Sequence, residues 1–437
     1  METEDKTIQP VNLLLPEWTI ASPQTHPTLD KFSFEDDLSA RQTAQQLTKS
    51  GQIILNEFSN GLEIRSTSVV GSIRLGRLSI TISPKIEALP LMRLLRFAYG
   101  LRDLELFNLS SFASQRHAFQ DLLILQLITE IEELIARGLL RRYTEKSERL
   151  SSPTGRIDFS QFNRQGGLIH GSLPCLYYRR LENCLHNRVL LSGLLLAANL
   201  TTDLSLRGRT RRLANLLRED VQPVELNTNV LAQVSRQSNR LTEAYIPAVK
   251  VVALLMGKSG SSLDEKNRNL PLTGFLFDMN HFFQALLSRL LNEYNEGFDV
   301  EDEHALKGFL AYVPGYELPG KQDPMPRPDF AVFQKGKLIS LLDAKYRDLW
   351  KEGLPRDMLY QLIVYALSQQ NNRTATILYP SLDGIAKEAK IQINEPMLGV
   401  ANGFVILRPV QLRKLEEFIC EKNRDGLNIF AHQLVFG

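Results

Sequence analysis

The sequence has few cysteines and no long hydrophobic run. Its 437 residues include three cysteines, Cys175, Cys184 and Cys420, an odd number at wide spacing that argues against a disulfide framework. The first residues, METEDKTIQP, lack the basic and apolar segments of a secretory signal peptide. The most apolar run, VLLSGLLLAANL from Val189 to Leu200, is too short to cross a bilayer. We therefore expect a cytoplasmic protein with no membrane segment.

The sequence also lacks a strong net charge. Its 51 basic and 49 acidic residues give +2 at pH 7, so contact with an anionic polymer must come from local basic patches. The run LRGRTRRLANLLR, residues 206–218, is one such patch. Runs of this kind more often form a solvated helix face, and contact with a DNA backbone is the alternative. With 43% hydrophobic and 23% charged residues, the composition is typical of a globular chain with two to four domains.

Motifs for nucleotide hydrolysis and zinc binding are missing as well. Gly-Lys-Ser at residues 257–259 resembles a phosphate-binding loop, but the glycine required five residues earlier is Val252. The sequence therefore predicts no NTPase site of its own, and a nucleotide-driven step requires another subunit. The seven histidines and three cysteines show no paired zinc-ligand spacing, which argues against a zinc finger.

Hydrophobic patterning divides the chain into three regions and a linker. Residues 1–110 are predicted to be a strand-rich N-terminal domain, because GSIRLGRLSITISPKI alternates apolar and polar positions around Gly76–Arg77. Residues 111–256 are predicted to be a mainly helical middle domain, since apolar residues recur at three- and four-residue spacing. Residues 257–274, rich in glycine, serine and charge, are predicted to be a linker or long loop. Residues 275–437 follow the order helix, strand, strand, helix, strand.

The last region contains a charged hairpin. The stretch RPDFAVFQKGKLISLLDAKYR, residues 327–347, has two apolar runs with the length and composition of buried strands. A two-residue loop at Lys335–Gly336 places Asp329 opposite Leu342, one residue from Asp343. Lateral neighbours in a sheet lie about 5 Å apart, so the two carboxylates repel unless a cation separates them. Oxygen ligands favour Mg²⁺, and Mn²⁺ is the alternative.

Strand alternation adds a lysine to this pair of acids. Asp343 and Lys345 are two residues apart and project from one strand face, whereas Ala344 turns away. Hydrolysis of a phosphodiester calls for a metal to neutralise nonbridging oxygens and a nearby lysine to hold or stabilise the attacking water. Asp329, Asp343 and Lys345 provide these groups. Taken alone, however, an aspartate after proline often starts a turn, and Asp-x-Lys at a strand end is often a solvated pair.

Pro328–Asp329 and Asp343–Ala344–Lys345 resemble the two core motifs of the PD-(D/E)xK nuclease superfamily. The resemblance implies a restriction-endonuclease-like α/β core with a mixed sheet. It also implies metal binding by Asp329, Asp343 and the carbonyl of Ala344. Lys345 would then orient or activate the attacking water.

The helix after the hairpin carries a related resemblance. Gln361 and Tyr365 in YQLIVYAL resemble the Q-x-x-x-Y element of RecB-like members, and their four-residue spacing places both on one helix face. The resemblance implies that Gln361 positions substrate or supports Lys345 and that Tyr365 braces the helix. For Tyr365 alone, an ordinary amphipathic helix is the alternative.

Further segments resemble one family, McrC, the nuclease subunit of McrBC-type restriction systems. These segments are VVGSIRLGRLSITISPKI, PTGRIDF, RRLENCLHNRVL, FLFDMNHFFQ, PDF, LDAKY and DMLYQLIVYA, between about residues 69 and 380. The resemblance implies a multidomain α+β or α/β protein with a strand-rich N-terminal domain that docks on an AAA+ partner, a helical middle region and a C-terminal nuclease. It implies a Mg²⁺-dependent endonuclease that cuts DNA containing modified cytosine. The implied partner is an McrB-like GTPase hexamer, which the chain also stimulates.

One position departs from the family pattern. McrC-like sequences commonly have a glutamate on the helix after FDMN, where this chain has Gln284 in HFFQ. An amide contributes no charge, so metal binding is expected to be weaker. Asp278 and Glu293 are candidates to compensate, although Glu293 falls on a different helix face. Two other functions stay open, a stand-alone repair or recombination nuclease that needs no GTPase and, because of Gln284, a non-cleaving adaptor of an AAA+ motor.

Polar residues of the middle region are predicted to be structural. Asp158 lies in PTGRIDF, and Asn183 and Asn187 lie one helical turn apart in LENCLHNRVL, before a buried helix. We expect Asp158 and Asn187 to hold the fold by hydrogen bonds, with a catalytic role as the alternative.

Overall fold

A computed structural model gives the architecture of the chain. It describes residues 10–35, 37–101, 119–164, 171–201, 203–256, 273–294, 296–316, 320–370, 373–382, 384–395, 397 and 399–437. The predicted linker lies outside the described residues except for its last two positions, and so does the predicted domain boundary near residue 110. The Gly-Lys-Ser sequence at 257–259 lies outside them as well.

Both strands and helices occur along the described part of the chain. The strands are β1 Val11–Pro16, β2 Ile20–Ala21, β3 Ile53–Phe58, β4 Gly61–Ser66, β5 Val69–Leu75, β6 Leu78–Ser83, β7 Arg142–Leu150, β8 Arg156–Ile157, β9 Leu173–Leu181, β10 Thr273–Asp278, β11 Asp299–Asp302, β12 Phe330–Gln334, β13 Lys337–Ala344, β14 Thr374–Ser381, β15 Ala389–Asn394 and β16 Ala401–Gln411. The α-helices are α1 Leu38–Lys49, α2 Ala88–Tyr99, α3 Phe119–Arg137, α4 Phe159–Arg164, α5 Leu185–Leu200, α6 Leu204–Arg218, α7 Thr228–Arg236, α8 Ile246–Leu255, α9 Met279–Tyr294, α10 Leu349–Glu352, α11 Arg356–Leu367, α12 Leu412–Cys420 and α13 Arg424–Phe436. The mixed α+β class is therefore as predicted. Among these helices, none combines the length and apolarity needed to cross a bilayer.

Internal contacts divide the chain into two compact units. The first combines Met1–Arg116 with Ser262–Gly437, and the second is His117–Ser261. The second unit is thus inserted in the sequence between the two halves of the first. Residues of the predicted N-terminal and C-terminal domains belong to the same unit.

The first unit contains a four-stranded sheet in the order β1-β6-β5-β10. β5 and β6 form the predicted hairpin, in which Leu75 pairs with Leu78 across the two-residue turn. β10 comes from far along the sequence and pairs antiparallel with the other edge of β5. A methyl group at Gly71, whose φ is 129°, would lie 2.2 Å from the carbonyl oxygen of Phe275. Glycine at this position therefore permits the close approach of β10.

The second large sheet of this unit has six strands in the order β11-β12-β13-β14-β16-β15. β12 and β13 are antiparallel, whereas β13, β14 and β16 run parallel, so the sheet is mixed as predicted. From Ser340 to Ala344, β13 is buried at every position. Such continuous burial is typical of a central strand that is covered on both faces. Helix α11 packs on the sheet through Tyr365, which lies in the same core as Leu341 and Ile377.

The turn between β12 and β13 has the predicted two-residue form. Gln334 pairs with Lys337 across the turn. Lys335 and Gly336 both have positive φ, 50° and 73°, which is the signature of a type I′ turn. This turn fits the right-handed twist of the flanking strands and holds the hairpin closed.

A β-bulge corrects the predicted register of the hairpin. The pairing shifts by one residue near Val332, because β13 contributes one extra residue there. Phe330 lies opposite Leu342, so the predicted pairing of Asp329 with Leu342 is wrong by one position. The same shift brings Asp329 level with Asp343, whereas the prediction had placed the two aspartates one residue apart along the strands.

The second unit contains strands in addition to the predicted helices. A three-stranded antiparallel sheet, β7-β9-β8, accompanies its helices. Helix α3 ends at Arg137, and the next residue, Gly138, has φ of 91°, which a helix cannot continue. The segment Arg142–Leu150, which follows, is a strand with charged and mostly exposed positions. Its weak apolar pattern explains why the helical periodicity before it dominated the prediction.

Hydrogen bonds fix the polar residues predicted to be structural in this unit. The Asn187 amide nitrogen donates to the carbonyls of Leu140 and Glu182, at 2.9 and 2.7 Å, and its oxygen accepts from the Tyr245 hydroxyl at 2.8 Å. Asp158 accepts a hydrogen bond from a backbone amide at the start of α4. The predicted hydrogen bonds of Asp158 and Asn187 are therefore confirmed.

Candidate active site

Asp329 and Asp343 face each other at one end of the β12–β13 hairpin. Asp343 lies in β13 and is 2% exposed, and Asp329 immediately precedes β12. The Asp329 Oδ2 atom accepts a hydrogen bond from the backbone amide of Ala344 at 2.7 Å. The carboxylate of Asp329, next to one strand of the hairpin, is thus held by the backbone of the other strand.

Lys345 lies between the two acids. Its Nζ atom is 2.9 Å from Asp343 Oδ2 and 3.9 Å from Asp329 Oδ2. The backbone amide of Lys345 donates to the Leu378 carbonyl at 2.9 Å, which continues the parallel pairing with β14. The contact with Asp343 confirms that Asp343 and Lys345 share one side of the strand. The structure therefore brings together the three residues that the sequence predicted.

The electrostatics of the cluster favour an added positive charge. Burial and the facing Asp343 carboxylate raise the pKa of Asp329 from 3.8 to about 7, against the opposing effects of Lys345 and the Ala344 amide. Burial lowers the pKa of Lys345, but the Asp343 and Asp329 carboxylates outweigh burial, and the net effect is a raised pKa. Lys345 thus does not fully offset the burial of Asp329 and the charge of Asp343 that faces it. A cation at this point would favour the ionised form of Asp329.

One carboxylate oxygen is available for a metal. The Oδ1 atom of Asp343 is buried and has no hydrogen-bond partner among the described residues. A buried carboxylate oxygen without a donor fits a ligand of a hard divalent cation. Across the part of the chain that the structure describes, no three Asp, Glu, His or Cys side chains form a metal-binding group. A metal would therefore depend on two carboxylates and on neutral oxygens, such as the Ala344 carbonyl.

Gln284 on α9 faces this cluster. Its Nε2 atom donates to Asp329 Oδ1 at 3.3 Å. The two proposed substitutes for the missing glutamate are engaged elsewhere. Asp278 accepts from the backbone amide of Asn280 at 2.8 Å, and Glu293 pairs with Arg289 at 2.8 Å. The structure therefore places Gln284, and neither of these two acids, against Asp329.

Gln361 and Tyr365 on α11 connect to the start of the hairpin. The Gln361 amide donates to the Tyr365 hydroxyl at 2.6 Å, and that hydroxyl donates to the carbonyl of Arg327 at 2.8 Å. Burial and then the Asp343 charge raise the pKa of Tyr365 to about 12, so its hydroxyl stays protonated. Tyr365 thus ties α11 to the backbone two residues before Asp329, and the hydrogen bond of Gln361 goes to Tyr365.

Two residues outside the predicted set contact the segment after Lys345. Asn280 accepts a hydrogen bond from the Tyr346 amide at 3.2 Å and donates to Ser68 Oγ at 2.5 Å. Glu17, which is 0% exposed, accepts from the Tyr346 hydroxyl at 3.4 Å. The motif FDMN could have pointed to Asn280, whereas no sequence pattern distinguishes Glu17 from a surface glutamate.

The fold and the cluster together define a multidomain α+β protein with paired carboxylates and a lysine at one end of a mixed sheet. Comparison with models of known protein families identifies the family of this chain. The model described as McrBC 5-methylcytosine restriction system component matches residues 64–380, well over half of the chain. The chain belongs to this family. The predicted resemblance is confirmed at that level.

The chain is similar to two solved structures, the first of which has the same fold. One is a refined half-complex from the tetradecameric assembly of Thermococcus gammatolerans McrB AAA+ hexamers with bound McrC. It matches with a TM-score of 0.64 and 18% identity over 97% of this chain and 100% of that chain. The cryo-EM structure of the Thermococcus gammatolerans McrBC complex matches with a TM-score of 0.47 and 19% identity over 65% and 88%. No curated protein matches the sequence.

Proposed function

We propose that this chain is the endonuclease subunit of a GTP-dependent, McrBC-like restriction complex that cuts DNA containing modified cytosine by Mg²⁺-dependent phosphodiester hydrolysis. The observation that carries the proposal is the cluster of Asp329, Asp343 and Lys345, in which a lysine lies within 4 Å of one buried and one half-buried acid. Family membership supports the restriction setting. The hairpin β12–β13, followed by parallel β14, supports assignment of this sheet as a PD-(D/E)xK core.

The chemistry assigns a separate role to each group. Asp329, Asp343 and the Ala344 carbonyl would hold Mg²⁺ or Mn²⁺, which when bound neutralises nonbridging phosphate oxygens and lowers the pKa of the attacking water. The Ala344 amide and the Gln284 amide hold the two oxygens of Asp329 in fixed directions. Lys345, oriented by Asp343, donates a hydrogen bond to the attacking water or to the charge that develops on the phosphate.

The proposed partner is an McrB-like AAA+ GTPase hexamer. The Thermococcus gammatolerans assembly is described as McrB AAA+ hexamers with bound McrC, and its matching chain shares this fold from end to end. The sequence predicts no phosphate-binding loop of its own, so GTP hydrolysis would come from the partner. We further propose that the N-terminal region docks on the hexamer and that docking stimulates the GTPase.

Cleavage of defined plasmids tests this function. The purified chain is assayed with and without the AAA+ partner, GTP and Mg²⁺, on DNA with and without methylated cytosine. We expect cutting only when all four are present, together with faster GTP hydrolysis in the complex. Cutting of unmodified DNA by the chain with Mg²⁺ alone would instead support a stand-alone nuclease. Stimulated GTP hydrolysis without any cutting would support an adaptor.

Gln284→Glu is expected to tighten magnesium binding. The new carboxylate would face Asp329, where the amide now donates at 3.3 Å, and would increase the attraction for a divalent cation. Without metal, the added repulsion should lower the melting temperature, and Mg²⁺ should restore it. The measurements are a Mg²⁺ titration of cleavage and thermal melts with and without Mg²⁺.

Gln42→Glu serves as the matched control for this variant. Gln42 lies on α1 and is exposed, so the same change adds a charge away from the cluster. Its magnesium midpoint should equal that of the unmodified protein. An unchanged midpoint in Gln284→Glu would remove Gln284 from the site and leave Asp329, Asp343 and Lys345.

A further inference from the structure

Helix α9 touches the cluster at two points that lie one turn apart. Gln284 donates to Asp329, and Asn280 accepts from the backbone amide of Tyr346 at 3.2 Å. Residues four positions apart lie on the same helix face. One helix face therefore holds both a carboxylate of the cluster and the backbone that immediately follows Lys345.

The other half of the Asn280 amide reaches the N-terminal sheet. Its nitrogen donates to Ser68 Oγ at 2.5 Å, and the backbone amide of Met279 donates to the Ser68 carbonyl at 2.8 Å. Ser68 is buried and directly precedes β5. Asp278 accepts from the Asn280 backbone amide and fixes the start of the helix. The Asn280 side chain is thus a bridge between the N-terminal sheet and the residue next to Lys345.

Tyr346 is held from further directions as well. Its side chain is buried, and its ring packs edge-on against Phe283 with the ring centroids 6.1 Å apart. Its hydroxyl contacts Glu17, which directly follows β1. Because the Tyr346 amide and the Lys345 carbonyl share one peptide plane, a hydrogen bond that holds this amide also restrains the backbone of Lys345, from which its side chain extends.

We propose that Asn280 is a positioning residue for Lys345, which it places by binding the Tyr346 amide to Ser68 of the N-terminal sheet. The N-terminal sheet is thereby a structural part of the candidate active site, and an interaction that displaces Ser68 displaces Lys345. The effect on cleavage rests on the proposed nuclease function. The effect on the placement of Lys345 is independent of that function.

Two variants remove hydrogen bonds of this bridge, and a third is a control. Asn280→Ala removes both side-chain hydrogen bonds. Ser68→Ala removes only the side-chain hydrogen bond between Asn280 and Ser68, keeps the backbone hydrogen bond from Met279, and is the milder change if Asn280→Ala folds poorly. Asn292→Ala is the control, because Asn292 is an exposed asparagine on the same helix whose amide donates to the Ser288 carbonyl at 2.9 Å.

Two measurements on the full chain need no cleavage. Hydrogen exchange reports the protection of the Tyr346 amide, and reaction with an amine-specific acylating reagent, followed by mass spectrometry, reports how firmly Lys345 is held in its ion pair. We expect faster Tyr346 exchange in Asn280→Ala, and several-fold faster Lys345 labelling in Asn280→Ala and Ser68→Ala. Asn292→Ala should match the unmodified protein in both.

Cleavage kinetics provide the functional measurement. In Asn280→Ala we expect kcat to fall by roughly ten- to a hundredfold, as for a displaced catalytic group, with KM for DNA unchanged. Lys345 labelling in both Asn280→Ala and Ser68→Ala equal to that of Asn292→Ala would overturn the inference. If the unmodified protein cuts no DNA under any condition, the proposed function fails, while exchange and labelling still decide the role of Asn280.

Discussion

Replacing Asp343 with asparagine is expected to reduce DNA cleavage by at least about 10³-fold while leaving the protein folded. Asparagine keeps the shape of the side chain but removes the charge that holds Lys345 Nζ at 2.9 Å. It also leaves Asp329 as the single carboxylate for a cation. Because the facing charge of Asp343 contributes to the raised pKa of Asp329, the variant should ionise Asp329 at lower pH. The defect is therefore in catalysis and metal binding rather than in folding.

The measurement is the single-turnover cleavage rate with partner, GTP and Mg²⁺, together with a thermal melt. Asp357→Asn is the control, since Asp357 is exposed in the first turn of α11 and the same charge is removed there. Lys345→Ala should show a comparable loss of rate, because it removes the ammonium and leaves both acids in place. Near-normal cutting by Asp343→Asn or Lys345→Ala would refute the assignment of the site.

Replacing Glu17 with glutamine is expected to change the pH dependence of stability. Burial raises the pKa of Glu17 from 4.5 to about 7, although the Lys85 amide and charge oppose the shift. For an acid whose pKa is higher in the folded state, the stabilisation is complete below pH 4.5 and is lost as the pH rises to about 7. A shift from 4.5 to about 7 corresponds to about 3 kcal/mol in the free energy of unfolding. Glutamine does not titrate and avoids this loss.

Denaturant unfolding at several pH values between about 4 and 8 tests the role of Glu17. The stability of Glu17→Gln relative to the unmodified protein should increase by about 3 kcal/mol over that interval. Glu87→Gln is the control, because the Glu87 side chain is 80% exposed. Its profile should run parallel to that of the unmodified protein. A constant difference between Glu17→Gln and the unmodified protein at all pH values would show that Glu17 keeps an ordinary pKa.

The sequence was most informative where local rules govern the structure. Two apolar runs around Lys335–Gly336 predicted the β12–β13 hairpin, because a two-residue loop with a glycine constrains both strands. The two-residue spacing of Asp343 and Lys345 predicted their contact, since alternation along a strand is purely local. The residue types at the hairpin ends were therefore sufficient to predict that Asp329, Asp343 and Lys345 lie close together.

The errors and omissions arose where distant residues decide the structure. The bulge near Val332 shifts the pairing by one residue, so simple counting from the turn placed Asp329 opposite the wrong residue. The pairing of β10 with β5 joins segments far apart in sequence, and neither carries a signal for the other. The contact between Glu17 and Tyr346 also joins distant segments. It could not be predicted, because only the folded structure shows that this glutamate is buried.

The insertion of His117–Ser261 between the two halves of the first unit has a consequence for biosynthesis. On the ribosome, β5 emerges long before Thr273–Asp278, so the edge of β5 that receives β10 remains open while the inserted unit is translated. An open strand edge is a site of misassociation for a nascent chain. The inserted unit can complete its fold first, whereas the Asp329, Asp343 and Lys345 cluster forms only when the last strands return. This cluster is thus among the last parts of the molecule to form, after most of the polypeptide has left the exit tunnel.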